Sequence, residues 1–311
     1  MAPQRGLIVG TRGSRLALRQ TQLVVEALRA CHPDVQFEAR EVRTEGDRRS
    51  QDSLSRIGGQ GVFVKELEAA LLRGEIDLAV HSLKDAPVEL APGLTLAAIP
   101  QRGDPRDALV SRDGATLATL PAGARVGTGS GRRAVQLRAL RSDLVPVDIR
   151  GNVDTRIRKV DEGEVDAVVL AAAGLERLGL LERAAEVFPP EVMLPAVGQG
   201  ALAVEARADD AELLDLLSPI DHQETRLACE AERAFLGRLG GGCRLPFGAL
   251  AVVQGETLRA RGFISDMEGA RTFRAEVSEA AADAESIGVR LAEALLEQGA
   301  AEFVEVSSTT P

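Results

Sequence analysis

The sequence has few aromatic residues and lacks long apolar runs. It contains no Trp, no Tyr and 8 Phe among 311 residues, which argues against stacking platforms for bases or sugars. The formal net charge of −10 argues against general nucleic-acid binding. No apolar run is long enough for a membrane-spanning helix, and residues 1–11 lack the apolar region of a signal peptide. We therefore expect a cytoplasmic protein.

Cysteine and histidine are also scarce, with 3 of each. An odd, small number of cysteines cannot form a disulfide framework, so we expect reduced thiols. The histidines are far apart, and neither Cys-x-x-Cys nor His-x-x-x-His occurs. Such spacings are typical of metal sites, so we expect no metal.

One cysteine stands in an unusual setting. Cys243 follows three glycines, which remove side-chain bulk, and it precedes Arg244. A nearby cation favours the thiolate, the reactive form of the sulfur. By contrast, Cys31 ends one helical pattern and Cys229 lies within another. We therefore predict that Cys243 is the chemically active thiol.

The first two thirds of the chain alternate short apolar runs with helical patterns, which is typical of α/β units. Residues 7–9 form a predicted strand that leads to Ser14, a good helix N-cap. Residues 101–107 are predicted to be a crossing between domains. After them, a similar alternation of apolar runs and helical patterns begins again. A second glycine- and proline-rich break covers residues 195–200. Beyond residue 218 the pattern changes to that of a separate α+β unit.

Several predicted turns between a strand and a helix carry a cation. Ligands of open α/β sheets bind beyond the carboxyl ends of the strands, where helix N-termini favour anions and arginine suits carboxylates. The pattern predicts a local site for a ligand with many negative charges. The alternative is that these cations are solvated or paired with the 47 acidic residues. The cations in question are Arg12, Lys84, Arg132, Arg133, Arg150 and Arg156, with Arg177 slightly deeper in its helix.

Asp85 is an acidic residue at the end of the predicted strand at residues 76–80. It has two interpretations: a turn-forming residue, or a carboxylate that exchanges protons or faces a developing cation. Its neighbour His81 is better explained as a hydrogen-bonding residue at the strand end than as a general base.

Eight short motifs stand in order along the chain, and together they resemble the hydroxymethylbilane synthase family, also called porphobilinogen deaminase. The resemblance covers essentially the whole sequence. The motifs are TRGS at 11–14, GGQG at 58–61, KELE at 65–68, AVHSLKD at 79–85, DPRDA at 104–108, RGNV at 150–153, LPAVGQGA at 194–201 and GGC at 241–243.

The resemblance implies an α/β fold with two domains similar to type II periplasmic binding proteins, flanking a cleft, and a smaller α+β C-terminal domain. Domain 1 would comprise residues 1–100 and 200–218, and domain 2 residues 105–195. Domain 3 would comprise residues 219–311 and would carry Cys243.

The resemblance also implies a transferase of porphyrin and heme biosynthesis. A dipyrromethane cofactor would be joined to Cys243 by a thioether. The enzyme would add four porphobilinogens in turn, with loss of ammonia each time, and hydrolysis would release the linear tetrapyrrole. We expect a monomer that acts on porphobilinogen and binds neither nucleic acid nor membrane.

Residue by residue, the resemblance implies that Asp85 is catalytic. It would assist loss of the amino group, stabilise the azafulvenium cation and help remove a proton after the carbon–carbon bond forms. The residues that would bind the cofactor are Cys243, Ser14, Lys84, Thr128, Ser130, Arg132, Arg133, Arg150 and Arg156. Those that would bind substrate are Arg12, Arg56, Arg177 and Gln199.

The chain departs from the family pattern at a few positions. Gln60 stands where a lysine is usual, and Gly129 and Gly131 replace a serine and a bulkier apolar residue. Two alternatives to the transferase are a non-catalytic two-domain anion-binding protein and an enzyme that uses the Cys243 thiol directly. The first explains neither Cys243 nor Asp85, and the second lacks a histidine partner by motif.

Overall fold

The computed structural model describes residues 6–42, 64–240 and 245–304. The chain divides into two compact units, of which the first comprises Met1–Gly103 and Ala201–Arg226, and the second Asp104–Gly200 and Leu227–Pro311. The predicted boundaries of three domains stay a prediction. Within the described ranges, no helix is both long and apolar enough to cross a membrane.

The first unit contains a five-stranded mixed sheet. Its strand order is β2-β1-β3-β10-β4, in which β1 runs parallel to β2 and β3, and β10 runs antiparallel to β3 and β4. The strands are β1 (Leu7–Thr11), β2 (Phe37–Glu41), β3 (Leu78–Ser82), β4 (Leu94–Ala98) and β10 (Leu202–Arg207). Its helices are α1 (Arg15–Cys31), α2 (Lys65–Leu72) and α6 (Ala211–Leu217).

Helix α1 begins where the sequence predicts. The Ser14 hydroxyl oxygen accepts a hydrogen bond from the backbone N–H of Ala17 at 3.2 Å, which satisfies one of the N–H groups that have no partner within the helix. Val24 and Leu28 on its inner face are buried against Val9 and Leu78 of the sheet. Burial of this apolar face, more than helix propensity, holds the helix in place.

The second unit repeats this sheet. Its strand order is β7-β6-β8-β5-β9, with three parallel strands followed by the antiparallel β5. The two sheets share one pairing pattern, which confirms the prediction of two similar α/β domains. The strands are β5 (Asp107–Ser111), β6 (Arg125–Gly127), β7 (Val145–Val147), β8 (Ala167–Ala171) and β9 (Glu186–Val187). The helices are α3 (Gly131–Leu140), α4 (Val153–Asp161) and α5 (Ala172–Arg177).

The C-terminal part of the chain is an antiparallel three-stranded meander with helices, as predicted for a smaller α+β region. Gly288 permits close helix packing there, because a Cβ at this position would collide with the carbonyl oxygen of Ala231. The strands are β11 (Phe247–Gln254), β12 (Thr257–Ser265) and β13 (Thr272–Ala280), and the helices are α7 (Gln223–Arg238) and α8 (Ala284–Leu295).

The C-terminal sheet packs against the second five-stranded sheet's helix α3. Val135 of α3 shares one buried apolar cluster with Leu194, Leu250 of β11 and Phe263 of β12. These side chains are at most 3% exposed, so the start of β11 is held close to α3.

Candidate active site

In the first unit, two turns that carry predicted site residues lie at the same edge of the sheet. Strands β1 and β3 are parallel neighbours, with Val9 opposite Leu78. Parallel strands end at the same edge, so Arg12 and Ser14, which follow β1, lie beside the turn that follows β3. The hydroxyl oxygen of Ser82 accepts a hydrogen bond from Gln20 Nε2 at 2.8 Å, which links α1 to that turn.

Asp85 ends a single 3₁₀ turn, Leu83–Asp85, which directly follows β3. The backbone N–H of Leu83 donates to Ala201 O at 3.0 Å, and that of Ala86 donates to Leu83 O at 3.1 Å. The Leu83 side chain is buried, whereas Lys84 and Asp85 are half-buried. Among the described residues, none donates a hydrogen bond to the Asp85 carboxylate. The backbone is therefore fixed while the carboxylate keeps its acceptor capacity.

His81 has a structural partner, as the sequence predicts for a hydrogen-bonding residue at a strand end. Its Nε2 lies 2.8 Å from Oε2 of Glu205 on β10, and both side chains are buried. Nearby, Glu68 accepts a hydrogen bond from the backbone N–H of Ala91 at 3.2 Å. Burial raises the pKa of the Glu68 carboxyl, and the charge of Glu205 raises it further. The contact between His81 and Glu205 engages the Nε2 atom of His81 inside the protein.

In the second unit, three parallel strands bring their carboxyl ends together. Strand β6 pairs with β7 and β8, so the segments that follow them lie along one edge. Thr128 Oγ1 accepts from the N–H of Ser130 at 3.1 Å, which shapes the turn after β6. Ser130 is the N-cap of α3, but its side chain makes no capping hydrogen bond. The start of α3 is therefore left without a side-chain cap.

Arg132 and Arg133, in the first turn of α3, are buried against Asp107. Asp107 Oδ2 accepts from Arg132 Nη1 at 2.7 Å, and Oδ1 accepts from Arg133 Nη2 at 2.6 Å. All three side chains are at most 7% exposed. Burial alone would raise the pKa of Asp107, but the charges of the two arginines outweigh it and hold that pKa well below its usual range. The sequence alone predicted no role for Asp107, although this residue belongs to the motif at residues 104–108.

Gln199 belongs to the same network. It is 1% exposed, and its Nε2 donates to Pro105 O at 2.7 Å and to Asp107 Oδ1 at 2.9 Å. Its Oε1 accepts from Arg133 Nη2 at 3.4 Å. The described contacts place Gln199 inside the protein, and its predicted contact with substrate stays a prediction.

The remaining predicted cations of this unit are partly satisfied by backbone oxygens. Arg156 Nε donates to Gly151 O at 2.7 Å, and Arg177 Nη2 donates to Gly200 O at 2.6 Å. Burial lowers the pKa of the Arg177 guanidinium. Arg150 Nη2 donates to Asp148 Oδ2 at 3.1 Å, but its Nε is buried and has no hydrogen-bond partner among the described residues. Arg150 thus retains an unsatisfied buried donor.

Cys243 and Arg56 lie outside the described residues, as does Gln60. The segment after Cys243 is described, and it contacts α3. A Cβ at Gly131 would lie 3.6 Å from Pro246 Cγ, and one at Gly248 would lie 3.1 Å from Arg132 Cδ. The other two cysteines lie on helices as predicted, with Cys31 exposed and Cys229 buried.

Within the described ranges, no group of three or more His, Cys, Asp or Glu side chains is placed to hold a metal ion. The site is therefore described by its carboxylate and its cations. The two units present these groups separately: Asp85 with Arg12, Ser14 and Lys84 in the first, and the arginine-bearing turns in the second.

The chain has curated relatives that match it over almost its whole length. The chain is 55% identical to the porphobilinogen deaminase of Roseiflexus sp. over 94% of this chain and 96% of that protein. It is 52% identical to the porphobilinogen deaminase of Desulforudis audaxviator over 97% of each. Among solved structures, it is similar to the VFT2 domain of Bordetella pertussis BvgS, at 19% identity and a TM-score of 0.40, over 70% of this chain and 89% of that one.

Two family descriptions match successive parts of the sequence. Residues 7–215 match the porphobilinogen deaminase, dipyromethane cofactor binding domain. Residues 226–297 match the porphobilinogen deaminase, C-terminal domain. The chain belongs to the porphobilinogen deaminase family.

Proposed function

We propose that this protein is a hydroxymethylbilane synthase. It condenses four porphobilinogens, with loss of ammonia, onto a dipyrromethane cofactor attached to Cys243, and then releases the linear tetrapyrrole by hydrolysis. The observation that carries the proposal is the alignment of arginine-bearing turns at the carboxyl ends of β7, β6 and β8. A cationic edge of this kind suits a ligand that gains carboxylates as it grows.

The ligand chemistry matches that edge. Every porphobilinogen unit carries an acetate and a propionate, so each condensation adds two negative charges. The unsatisfied buried Nε of Arg150 would gain an acceptor from such a group, and buried donors without acceptors are costly. The uncapped start of α3 offers further N–H groups to an anion.

The described residues near Cys243 also fit the cofactor. Pro246 contacts the start of α3, and Cys243 is three residues earlier in the chain. The described segment that follows Cys243 thus contacts the start of α3 at Gly131 and Arg132. When bound, the cofactor supplies the pyrrole carbon to which the first substrate is joined. Its acidic groups would be held by Ser14, Lys84, Thr128, Ser130, Arg132, Arg133, Arg150 and Arg156.

Asp85 is proposed as the catalytic residue. Its carboxylate is half-buried on a fixed turn, and a preorganised negative charge stabilises the cation that forms when the substrate loses ammonia. The same oxygens can accept a hydrogen bond from a pyrrole N–H, and they can take a proton after the new carbon–carbon bond forms. Substrate would be bound by Arg12, Arg56, Arg177 and Gln199.

The proposal includes three finer points. The chain would have three domains, with boundaries at residues 1–100 with 200–218, 105–195 and 219–311. It would act as a cytoplasmic monomer. It would not bind nucleic acid, because its net charge of −10 repels the phosphate backbone.

Intact-mass measurement tests the proposal. Purified protein should be heavier than its sequence by one dipyrromethane, and Cys243→Ser protein should have its sequence mass, because the thioether requires the sulfur. The matched control is Cys31→Ser, which changes an exposed cysteine and should keep the added mass. A wild-type protein that stays at its sequence mass after incubation with porphobilinogen would contradict the proposal. Binding of porphobilinogen without ammonia release would favour a non-catalytic anion-binding protein.

A further inference from the structure

We propose that Asp107 is a positioning residue, which orients Arg132 so that the unused edge of its guanidinium can bind a carboxylate of the cofactor. The proposal rests on the proposed function. It assigns to Asp107 a role that acts through Arg132 and involves no contact with the ligand.

The contacts of Asp107 leave its carboxylate no freedom to rotate. One oxygen, Oδ2, accepts from Arg132 Nη1 at 2.7 Å. The other, Oδ1, accepts from Arg133 Nε at 3.0 Å, from Arg133 Nη2 at 2.6 Å and from Gln199 Nε2 at 2.9 Å. Asp107 is the first residue of β5, opposite Ala171 in β8. Backbone pairing and four hydrogen bonds thus fix the carboxylate in one orientation.

The two arginines use their donors differently. Arg133 also donates from Nη1 to Val169 O at 2.9 Å, so all three of its nitrogens bond within the protein. Arg132 donates only from Nη1, to Asp107 and to Leu194 O at 2.6 Å. Its Nε and Nη2 donate to no residue in the parts of the chain that the structure describes. Of the two arginines, Arg132 therefore has more N–H groups that remain available for a ligand.

The charge of the cluster favours an anionic ligand. Two guanidinium groups face one carboxylate, which leaves one positive charge unbalanced among side chains that are at most 7% exposed. An uncompensated buried charge is destabilising. A ligand carboxylate on Arg132 would restore the balance, and bidentate geometry is available only if Asp107 keeps the guanidinium in its present plane.

The rate at which the apoprotein acquires its cofactor tests this role. Apoprotein is made in a host that cannot synthesise porphobilinogen, then mixed with porphobilinogen, and the gain in intact mass is followed over time. Asp107→Asn should load at least tenfold more slowly per folded molecule, because the amide would no longer hold the Arg132 guanidinium in its present plane. Asp166→Asn is the matched control: Asp166 is a carboxylate of the same unit that accepts from Arg125 N at 2.7 Å, and its variant should load at the wild-type rate.

A double-mutant cycle separates positioning from a merely structural role. Arg132→Gln should also slow loading at least tenfold. If Asp107 acts through Arg132, the double variant should load about as slowly as Arg132→Gln alone. Loading by Asp107→Asn within twofold of wild type, or independent and multiplying effects in the double variant, would overturn the proposal.

Two further controls keep the test decisive. If Asp107→Asn does not fold, Asp107→Glu replaces it in the same cycle, since it keeps the charge but displaces the carboxylate by one methylene. It should still load at least threefold more slowly, and a wild-type rate would count against positioning. Failure of the wild-type apoprotein to gain mass would instead refute the proposed function.

Discussion

At the scale of single residues, burial divides the charged side chains into two groups. Asp107 and Glu205 are fully buried. Their carboxylates contact neighbouring side chains of the protein. Asp85 is half-buried, and no described residue donates to its carboxylate. Partial exposure and the lack of a described donor support our proposal that the Asp85 carboxylate contacts substrate.

Replacement of Asp85 by asparagine should separate chemistry from folding. Asp85→Asn keeps the shape of the turn, so the variant should fold and carry the cofactor. Turnover should fall by about 100-fold or more, which is the usual cost of removing one preorganised electrostatic group. Steady-state formation of product, with intact mass as the check on loading, provides the measurement.

The nearby Glu89→Gln variant is the control for this test. Glu89 is an exposed carboxylate four residues further along the chain, and its variant should turn over normally. Near-normal product formation by Asp85→Asn would show that another group stabilises the cation.

The cationic residues show how far residue patterns alone can predict a site. Their positions after strands were predictable, because strand-to-helix turns are marked by local sequence. The different hydrogen-bond partners of Arg132 and Arg133 were not predictable. They depend on Asp107, which is 25 and 26 residues away along the chain. A long-range partner of this kind leaves no local signal.

At the scale of secondary structure, the elements with strong local patterns were predicted and those formed by distant pairing were missed. The helix predicted to follow the N-cap Ser14 is α1, which occupies Arg15–Cys31. Strands β5 and β10 were not predicted, although each is the antiparallel strand of its sheet. Both lie next to points where the chain passes between units, so neighbouring sequence does not determine their pairing.

Helix α1 allows a test of the two roles of Ser14. Its hydroxyl oxygen caps the helix, and its hydroxyl hydrogen can still donate to a ligand. Ser14→Ala should lower the free energy of unfolding by about 1 kcal/mol, the usual cost of losing an N-cap. Ser14→Asp retains the cap and should keep the stability, but its charge should repel ligand carboxylates and slow cofactor loading.

Thermal unfolding and the loading assay together check this prediction. Ser14→Thr preserves both cap and hydroxyl, and it should resemble the wild type in both measurements. Equal loading rates for Ser14→Asp and Ser14→Thr would mean that Ser14 serves the helix alone.

At the scale of the whole molecule, an acidic protein concentrates its positive charge where a polyanion would bind. The formal net charge is −10, yet Arg132 and Arg133 together exceed the charge of their one carboxylate partner. A local excess of positive charge of this kind favours a carboxylate-rich ligand without general affinity for anions. The same cluster links stability to pH.

The lowered pKa of Asp107 predicts how acid affects global stability. Because the native state keeps this carboxylate ionised while the unfolded state protonates it near its ordinary pKa of 3.8, the unfolded state binds more protons as the pH falls. The stabilisation is fully present above that pKa and is lost below it. One such group contributes a slope of about 1.4 kcal/mol per pH unit.

Asp107→Asn removes this titration, so the difference in unfolding free energy between wild type and variant should shrink as the pH falls from about 5 to about 3, through the ordinary carboxyl pKa. Urea unfolding at a series of pH values measures it. The exposed Asp113→Asn variant leaves the buried carboxylate in place and should follow the wild-type curve. Identical slopes for Asp107→Asn and wild type would mean that the buried arginines do not hold Asp107 ionised. Both guanidinium charges of Arg132 and Arg133 would then be unbalanced in the native state.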